Sequence, residues 1–143
     1  FLFICNHCPF VKAIIPKLVK VTNTIIDHGI NSVGIMSNDA NDYPEDSFEN
    51  MGKATKKNQF SFPYLYDETQ EIAKKYGAVC TPDFFGYNAS LELQYRGRLD
   101  ATRMSITSDD LEPELLNAMI EISQTGQGPD VQNPSVGCSI KWK

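Results

Sequence analysis

Apolar and polar positions alternate between two rhythms along this chain. The opening Phe1-Leu2-Phe3-Ile4 is uniformly apolar and reads as a buried strand. Between residues 6 and 27, Val11, Ile14, Ile15, Leu18, Ile25 and Ile26 recur at helical spacing, which predicts a helix over that stretch. Pro9 falls in its first turn, where a missing N–H costs nothing. Pro16 falls inside and predicts a kink, and His28-Gly29 ends the helix. Residues 30–36 form a short apolar run, a second strand. Residues 37–44 are polar and turn-rich, hence a loop. A second helix is predicted over 45–58, with acids in its first turn, and a short strand within 60–66. Asp67-Glu68-Thr69-Gln70 has the form of a capping box and predicts a short helix ending at Gly77. Residues 84–87 and 91–95 flank Asn88-Ala89-Ser90 and read as an antiparallel hairpin. A last helix is predicted over 109–123, started by Thr107 or Ser108 and carrying Leu111, Leu115, Leu116, Met119 and Ile122. Residues 126–143 read as a flexible Gly/Pro/polar tail.

Parallel βαβ units followed by an antiparallel hairpin and a covering helix make an α/β sandwich. The 143 residues suffice for one domain, and a 41% hydrophobic share supplies one core. No apolar run approaches the roughly 20 residues that span a bilayer. The net charge of −5 argues against nucleic acid or anionic lipid as partner. The lysine doublets at 56–57 and 74–75 read as solvated helix faces. The opening has no Met and starts in mid-strand, so a longer chain is expected to precede Phe1. A cytoplasmic location is the expectation.

Four cysteines are present: Cys5, Cys8, Cys80 and Cys138. A domain of this size needs no staples, and a Cys5–Cys8 link closes almost no loop. That spacing points to redox chemistry or to a metal. Cys5-Asn6-His7-Cys8 lies where an apolar strand gives way to an amphipathic helix. With Cys5 as N-cap, the free N–H groups and the helix dipole would favour its thiolate, below the ordinary thiol pKa of about 8.5. Cys8, one turn on, would lie within the roughly 4.4–6.8 Å between alpha carbons that a disulfide requires. Cys5 is then the nucleophile and Cys8 the buried resolving thiol. His7 could add positive charge near Cys5. A zinc site would need four ligands, drawn also from Cys80, Cys138, His7 and His28. No second Cys-x-x-Cys supports it, so no metal and no cofactor is expected.

The segments Phe3-Ile4-Cys5-Asn6-His7-Cys8-Pro9-Phe10-Val11, Ser37-Asn38-Asp39 through Tyr43-Pro44, Phe62-Pro63-Tyr64-Leu65, Tyr66-Asp67-Glu68-Thr69, Cys80-Thr81-Pro82-Asp83, Tyr95-Arg96-Gly97 and Gly137-Cys138-Ser139-Ile140-Lys141-Trp142 span nearly the whole chain. Together they resemble the thioredoxin superfamily, and within it the peroxiredoxin-like or thiol-disulfide isomerase-like proteins. The resemblance implies a thioredoxin fold: a three-layer α/β/α sandwich whose mixed sheet ends in an antiparallel hairpin. It implies a thioredoxin-like domain over 1–125, with the tail 126–143 packed on or near it. It also implies a cis peptide before Pro82, with Thr81 and Pro82 facing the cysteines and docking substrate. Asn6 and His7 replace the Gly-Pro of thioredoxin, so the redox tuning differs. If the Thr-Pro loop faces the site, Cys80 lies close to it. Cys138 could fold back onto the site as a further redox thiol.

The expected function is thiol–disulfide exchange with protein or small-molecule thiols and disulfides. One alternative is a peroxiredoxin-like thiol peroxidase. Cys8-Pro9 is similar to the peroxiredoxin Cys-Pro, with Arg96, Arg98 or Arg103 as the cation, but Cys5 stands where those proteins place a Thr. The other alternative is a non-catalytic interaction scaffold. Oligomeric state is not legible in the residues.

Overall fold

The computed structural model describes residues 1–104 and 108–143. In chain order the elements are β1 (Leu2–Phe3), α1 (Pro9–Ile26), β2 (Gly34–Met36), a 3-10 turn (Pro44–Asp46), α2 (Phe48–Asn58), β3 (Tyr64–Tyr66), α3 (Glu71–Tyr76), β4 (Cys80–Thr81), β5 (Asp83–Tyr87), β6 (Leu93–Gly97), α4 (Glu114–Thr125) and β7 (Cys138–Ser139). Five strands form one sheet in the order β3-β2-β1-β5-β6. The pairs β1/β2 and β2/β3 are parallel, and β1/β5 and β5/β6 are antiparallel.

Alternation along each strand sends its side chains to two faces. Leu2, Ile4, Met36, Phe84 and Tyr95 enter the larger core, which α1 and α4 cover with Val11, Ile14, Leu18, Leu115, Met119 and Ile122. Phe3, Ile35 and Phe85 enter the smaller core with Ala73 of α3, Ala78 and Ile140. A mixed sheet between two such layers, closed by the β5/β6 hairpin, is the thioredoxin fold.

Several boundaries differ from those expected, each for a local reason. The first helix starts at Pro9, with Cys8 as its N-cap, not at residue 6 with Cys5 as cap. Hydrogen bonds from Asn6 to Asp46 and Glu45 hold residues 5–7 out of the helix. The helix then runs through Pro16 without interruption. The second helix begins at Phe48, because the Ser47 hydroxyl caps it by accepting from the Asn50 N–H at 3.2 Å. The expected capping box does not form. Gln70 turns left-handed (φ 64) and donates to the Ser37 and Lys141 carbonyls, while Asp67 accepts from the N–H groups of Ile72 and Ala73. In the hairpin, the Asn88 side chain gathers the Ser90 and Glu92 N–H groups, which delays β6 to Leu93. The last helix starts after Pro113, which leaves Leu111 outside it. Of its two expected starting residues, Ser108 precedes the helix and Thr107 lies outside the described residues.

The tail is pinned rather than loose. β7 pairs antiparallel with β4, setting Thr81 opposite Cys138. The chain passes so close at Gly137 that a Cβ there would overlap the Thr81 carbonyl oxygen. Ile140 is buried, the Asp39 N–H donates to the Lys141 carbonyl at 2.8 Å, and the Lys141 N–H donates to Asn38 Oδ1 at 2.9 Å.

One ion pair ties α1 to the segment before α4. Lys17 Nζ donates to Asp100 Oδ2 at 2.8 Å, Thr102 Oγ1 at 2.9 Å and the Ser108 carbonyl at 2.6 Å. Burial pushes the Asp100 carboxyl up, but hydrogen bonds from Lys17 and Thr102 outweigh it and hold the group below the usual carboxylate range. Removing the cation strands a buried carboxylate. Lys17→Met is therefore expected to lower stability by about 3 kcal/mol in urea unfolding. An unchanged midpoint would show the pair to be dispensable.

Candidate active site

Strand β1 delivers Ile4 and Cys5 to the C-terminal edge of the sheet, and the chain then turns into α1. Cys8 caps that 18-residue helix in an extended conformation (φ −63, ψ 124), with Pro9 at its first position. Proline suits that place because its N–H would have no partner there. The sulfur of Cys8 thus lies at the N-terminal end of the helix, where the first-turn N–H groups lack intrahelical partners.

Residues 5–7 are fixed by a carboxylate from another element. Asp46, wholly buried at the end of the 3-10 turn, accepts from the Asn6 N–H at 2.7 Å and from Asn38 Nδ2 at 2.8 Å. His7 Nδ1 lies 2.5 Å from Asp46 Oδ2. Tyr64 donates its hydroxyl to Asn6 Oδ1 at 3.0 Å, and the His7 ring stacks on Tyr43. His7 therefore faces a carboxylate.

The Thr81–Pro82 peptide is cis. It sets Thr81, itself buried, against both cysteines: Thr81 Oγ1 lies 3.5 Å from Cys5 Sγ, and the Thr81 carbonyl oxygen 3.5 Å from Cys8 Sγ. Cys138 Sγ lies 2.8 Å from Cys8 Sγ. All four cysteines are free thiols. Cys80, one residue out of phase with Thr81, lines a separate pocket of about 260 Å³ with Val79, Asp83 and Arg96. The structure thus gathers Cys5, Cys8, Cys138, Asn6, His7, Thr81 and Pro82, and sets Cys80 apart in that pocket.

The electrostatics divide the two cysteines in the sense opposite to the expectation. The Cys8 thiol is lowered, first by the hydrogen bond from Cys5, then by those from Cys138 and the Val11 N–H, against the cost of burial. The Cys5 thiol is raised by the same hydrogen bond, by burial and by the nearby Asp46 carboxylate. The reversal has one principal cause, the interaction between the two thiols, and the Asp46 carboxylate adds to it by disfavouring charge on Cys5. Cys138 is pushed up to about 11 by burial and by its hydrogen bond to Cys8. Cys80 is also raised to about 11, mainly by burial and then by Asp83. In the reduced site the negative charge belongs on Cys8, with protons on Cys5 and Cys138.

Access differs as well. Cys5 lines a cavity of about 330 Å³ between α1 and α2, floored by Val11, Ile15 and Phe60 and edged by Lys12 and Lys57. Cys8 and Cys138 are not in its lining. The arginines considered as peroxide-activating cations have other partners. Arg96 contacts the Gly77 carbonyl and Asp83, Arg98 is bidentate on Glu114, and Arg103 donates to the Thr102 carbonyl. Among the described residues, no arginine hydrogen-bonds either Cys5 or Cys8.

The donor atoms of Cys5, His7 and Asp46 lie within 4.8 Å of one another. Three donors are one short of a closed tetrahedral site, and Asp46 is already held by three hydrogen-bonding groups. The geometry is that of a hydrogen-bonded loop anchor. Sequence reading missed Asp46, Asn38 and Tyr64 as site residues. Asp46 read only as an acid near a helix start, with nothing to show that it turns inward.

A Cys-x-x-Cys at a helix start, facing a cis-proline loop in this fold, defines a protein of the thioredoxin superfamily. The AhpC/TSA family model matches residues 1–102, and the chain belongs to that family. The structure is similar to that of an uncharacterized conserved protein from Geobacillus kaustophilus, at 48% identity and TM-score 0.90, covering 99% of this chain and 75% of that one. It is also similar to that of a hypothetical protein from Sinorhizobium meliloti, at 40% identity and TM-score 0.91, covering 99% of this chain and 78% of that one. No curated protein matches the chain. Among the described residues, no helix is long and apolar enough to cross a membrane.

The charge assignment is open to direct titration. Thiolate absorbance followed from acid to alkaline pH should show a transition well below the ordinary thiol pKa of about 8.5. Cys8→Ser should lack that transition. Cys5→Ser should keep it, because the serine hydroxyl can still donate to Cys8. Loss in Cys5→Ser with retention in Cys8→Ser would reverse the assignment.

Proposed function

We propose that this protein is a thiol–disulfide oxidoreductase whose working couple is Cys5 and Cys8. The observation that carries the reading is the company Cys8 keeps. Its sulfur, at a helix N-terminus, is hydrogen-bonded to the Cys138 thiol and faces the cis Thr81–Pro82 loop, and the Cys5 thiol is the first influence that favours charge on it. A thiolate surrounded by thiols is arranged for exchange between sulfurs.

Cys5 is the sulfur that meets substrate, since it lines the open cavity. A disulfide R–S–S–R′ that enters this cavity is attacked by Cys5, whose proton passes to the Cys8 thiolate. One Cys5–S–S–R bond forms, the R–S–S–R′ bond breaks, and R′S⁻ departs. Cys8 then gives up its proton to the departing thiolate and attacks Cys5 sulfur, expelling RS⁻. Two electrons and one proton have moved from the pair to the substrate, leaving a Cys5–Cys8 disulfide. Asp46 fixes the loop that bears Cys5 and raises its thiol, which keeps the resting charge on Cys8. Substrates are proteins or small molecules bearing a disulfide or thiols.

A thiol peroxidase is the second reading. It is favoured by one observation, the thiolate-stabilised Cys8-Pro9 at the start of α1. The positions of Arg96, Arg98 and Arg103 favour exchange instead.

Turbidimetric insulin reduction with dithiothreitol separates the readings. The wild type is expected to accelerate it, and Cys5→Ser and Cys8→Ser each to lose about a hundredfold or more. Thiol-dependent peroxide consumption that needs Cys8 but not Cys5, without insulin reduction, would replace exchange by the peroxidase reading. Inertness in both assays would leave a binding scaffold.

A further inference from the structure

We propose that Cys138 is a third working thiol, so that Cys8 pairs alternately with Cys5 and with Cys138 and passes the disulfide between two separate faces of the domain. The inference rests on the exchange reading of Cys5 and Cys8 and extends it to the tail.

Four observations carry it. The two sulfurs lie 2.8 Å apart, and both belong to free thiols. The approach is built by the fold: β7 pairs with β4, setting Cys138 opposite Thr81, immediately before the cis-proline. Gly137 allows this contact because only a residue without a Cβ clears the Thr81 carbonyl. The tail is anchored on both sides of the loop system, through Ile140 to Val79 and through Lys141 to Asn38 and Asp39. Asn38 is in turn a ligand of Asp46, so one hydrogen-bond chain links the tail to the loop carrying Cys5.

The two partners of Cys8 differ in where they lead. Cys5 borders the cavity between α1 and α2. Cys138 does not line that cavity, and it is partly exposed on the tail. After a substrate disulfide has been reduced, the Cys5–Cys8 bond is attacked at Cys8 by the Cys138 thiolate, its proton released to solvent. A Cys8–Cys138 bond forms, the Cys5–Cys8 bond breaks, and Cys5 leaves as thiolate and takes up a proton. No net electrons are exchanged in this step; the disulfide has moved. An external dithiol then reduces the Cys8–Cys138 bond from the tail side, forming its own disulfide and returning two thiols. Substrate and reductant thus need not compete for one surface.

Disulfide mapping by mass spectrometry of the full chain tests this. The protein is oxidised with one equivalent of diamide, then trapped with an alkylating reagent. Cys5→Ser should yield an intrachain Cys8–Cys138 link, and Cys138→Ser or Cys138→Ala a Cys5–Cys8 link. The wild type should yield both. Near-ultraviolet circular dichroism of each variant, matched to wild type, checks that the tail remains docked. A Cys5–Cys8 link in the wild type with no Cys8–Cys138 link in Cys5→Ser would overturn the relay and leave the exchange reading standing. Absence of both links from every protein would overturn the exchange reading itself.

Discussion

A buried carboxylate shapes the rest of this site. Asp46 has no exposed surface, and an unpaired charge in such a place would cost several kcal/mol. It is accommodated because three donors converge on it: the Asn6 N–H, His7 Nδ1 and Asn38 Nδ2. Two come from the loop between β1 and α1, the third from the loop after β2. Satisfying the charge therefore fixes the position of Cys5. Asn38 also accepts from the Lys141 N–H, so the same charge indirectly orders the tail that brings Cys138 to the site.

The anchor has an electrostatic consequence. By holding residues 5–7 out of the helix, it moves the N-cap to Cys8. The helix end and the neighbouring thiols then favour the Cys8 thiolate, while Asp46 disfavours charge on Cys5. The outer thiol keeps a proton and faces the cavity; the inner sulfur keeps the charge and is shielded. His7 is a partner of Asp46 and part of the scaffold.

Much of this fold was legible in the chain, and the reasons are local. The helical rhythm of Val11, Ile14 and Leu18 and the apolar strand runs are properties of each segment alone, and they placed β1, α1, β2 and the β5/β6 hairpin. Boundaries slipped where a distant group intervened. Asn6 was taken from the helix by Asp46, and Gln70 was recruited by the Ser37 and Lys141 carbonyls instead of completing a capping box. The start of the last helix is a different case, since Pro113 was visible in the sequence and outweighed the apolar spacing that includes Leu111. The site divided in the same way. Cys5 and Cys8 announce themselves by type and spacing, while Thr81 and Pro82 followed only from the family resemblance. Asp46, Asn38 and the docking of Cys138 depend on contacts 39, 103 and 130 residues apart, which no local pattern encodes.

On the proposed reading Cys8 is the member common to both disulfides, Cys5–Cys8 and Cys8–Cys138. Equilibration of the protein in glutathione buffers of graded potential, with the thiol state read by quantitative alkylation, tests it most directly. A two-electron transition is expected in the wild type, a shifted but present one in Cys5→Ser, and none in Cys8→Ser. A transition that survives in Cys8→Ser, or a wild type that shows none, would contradict that reading.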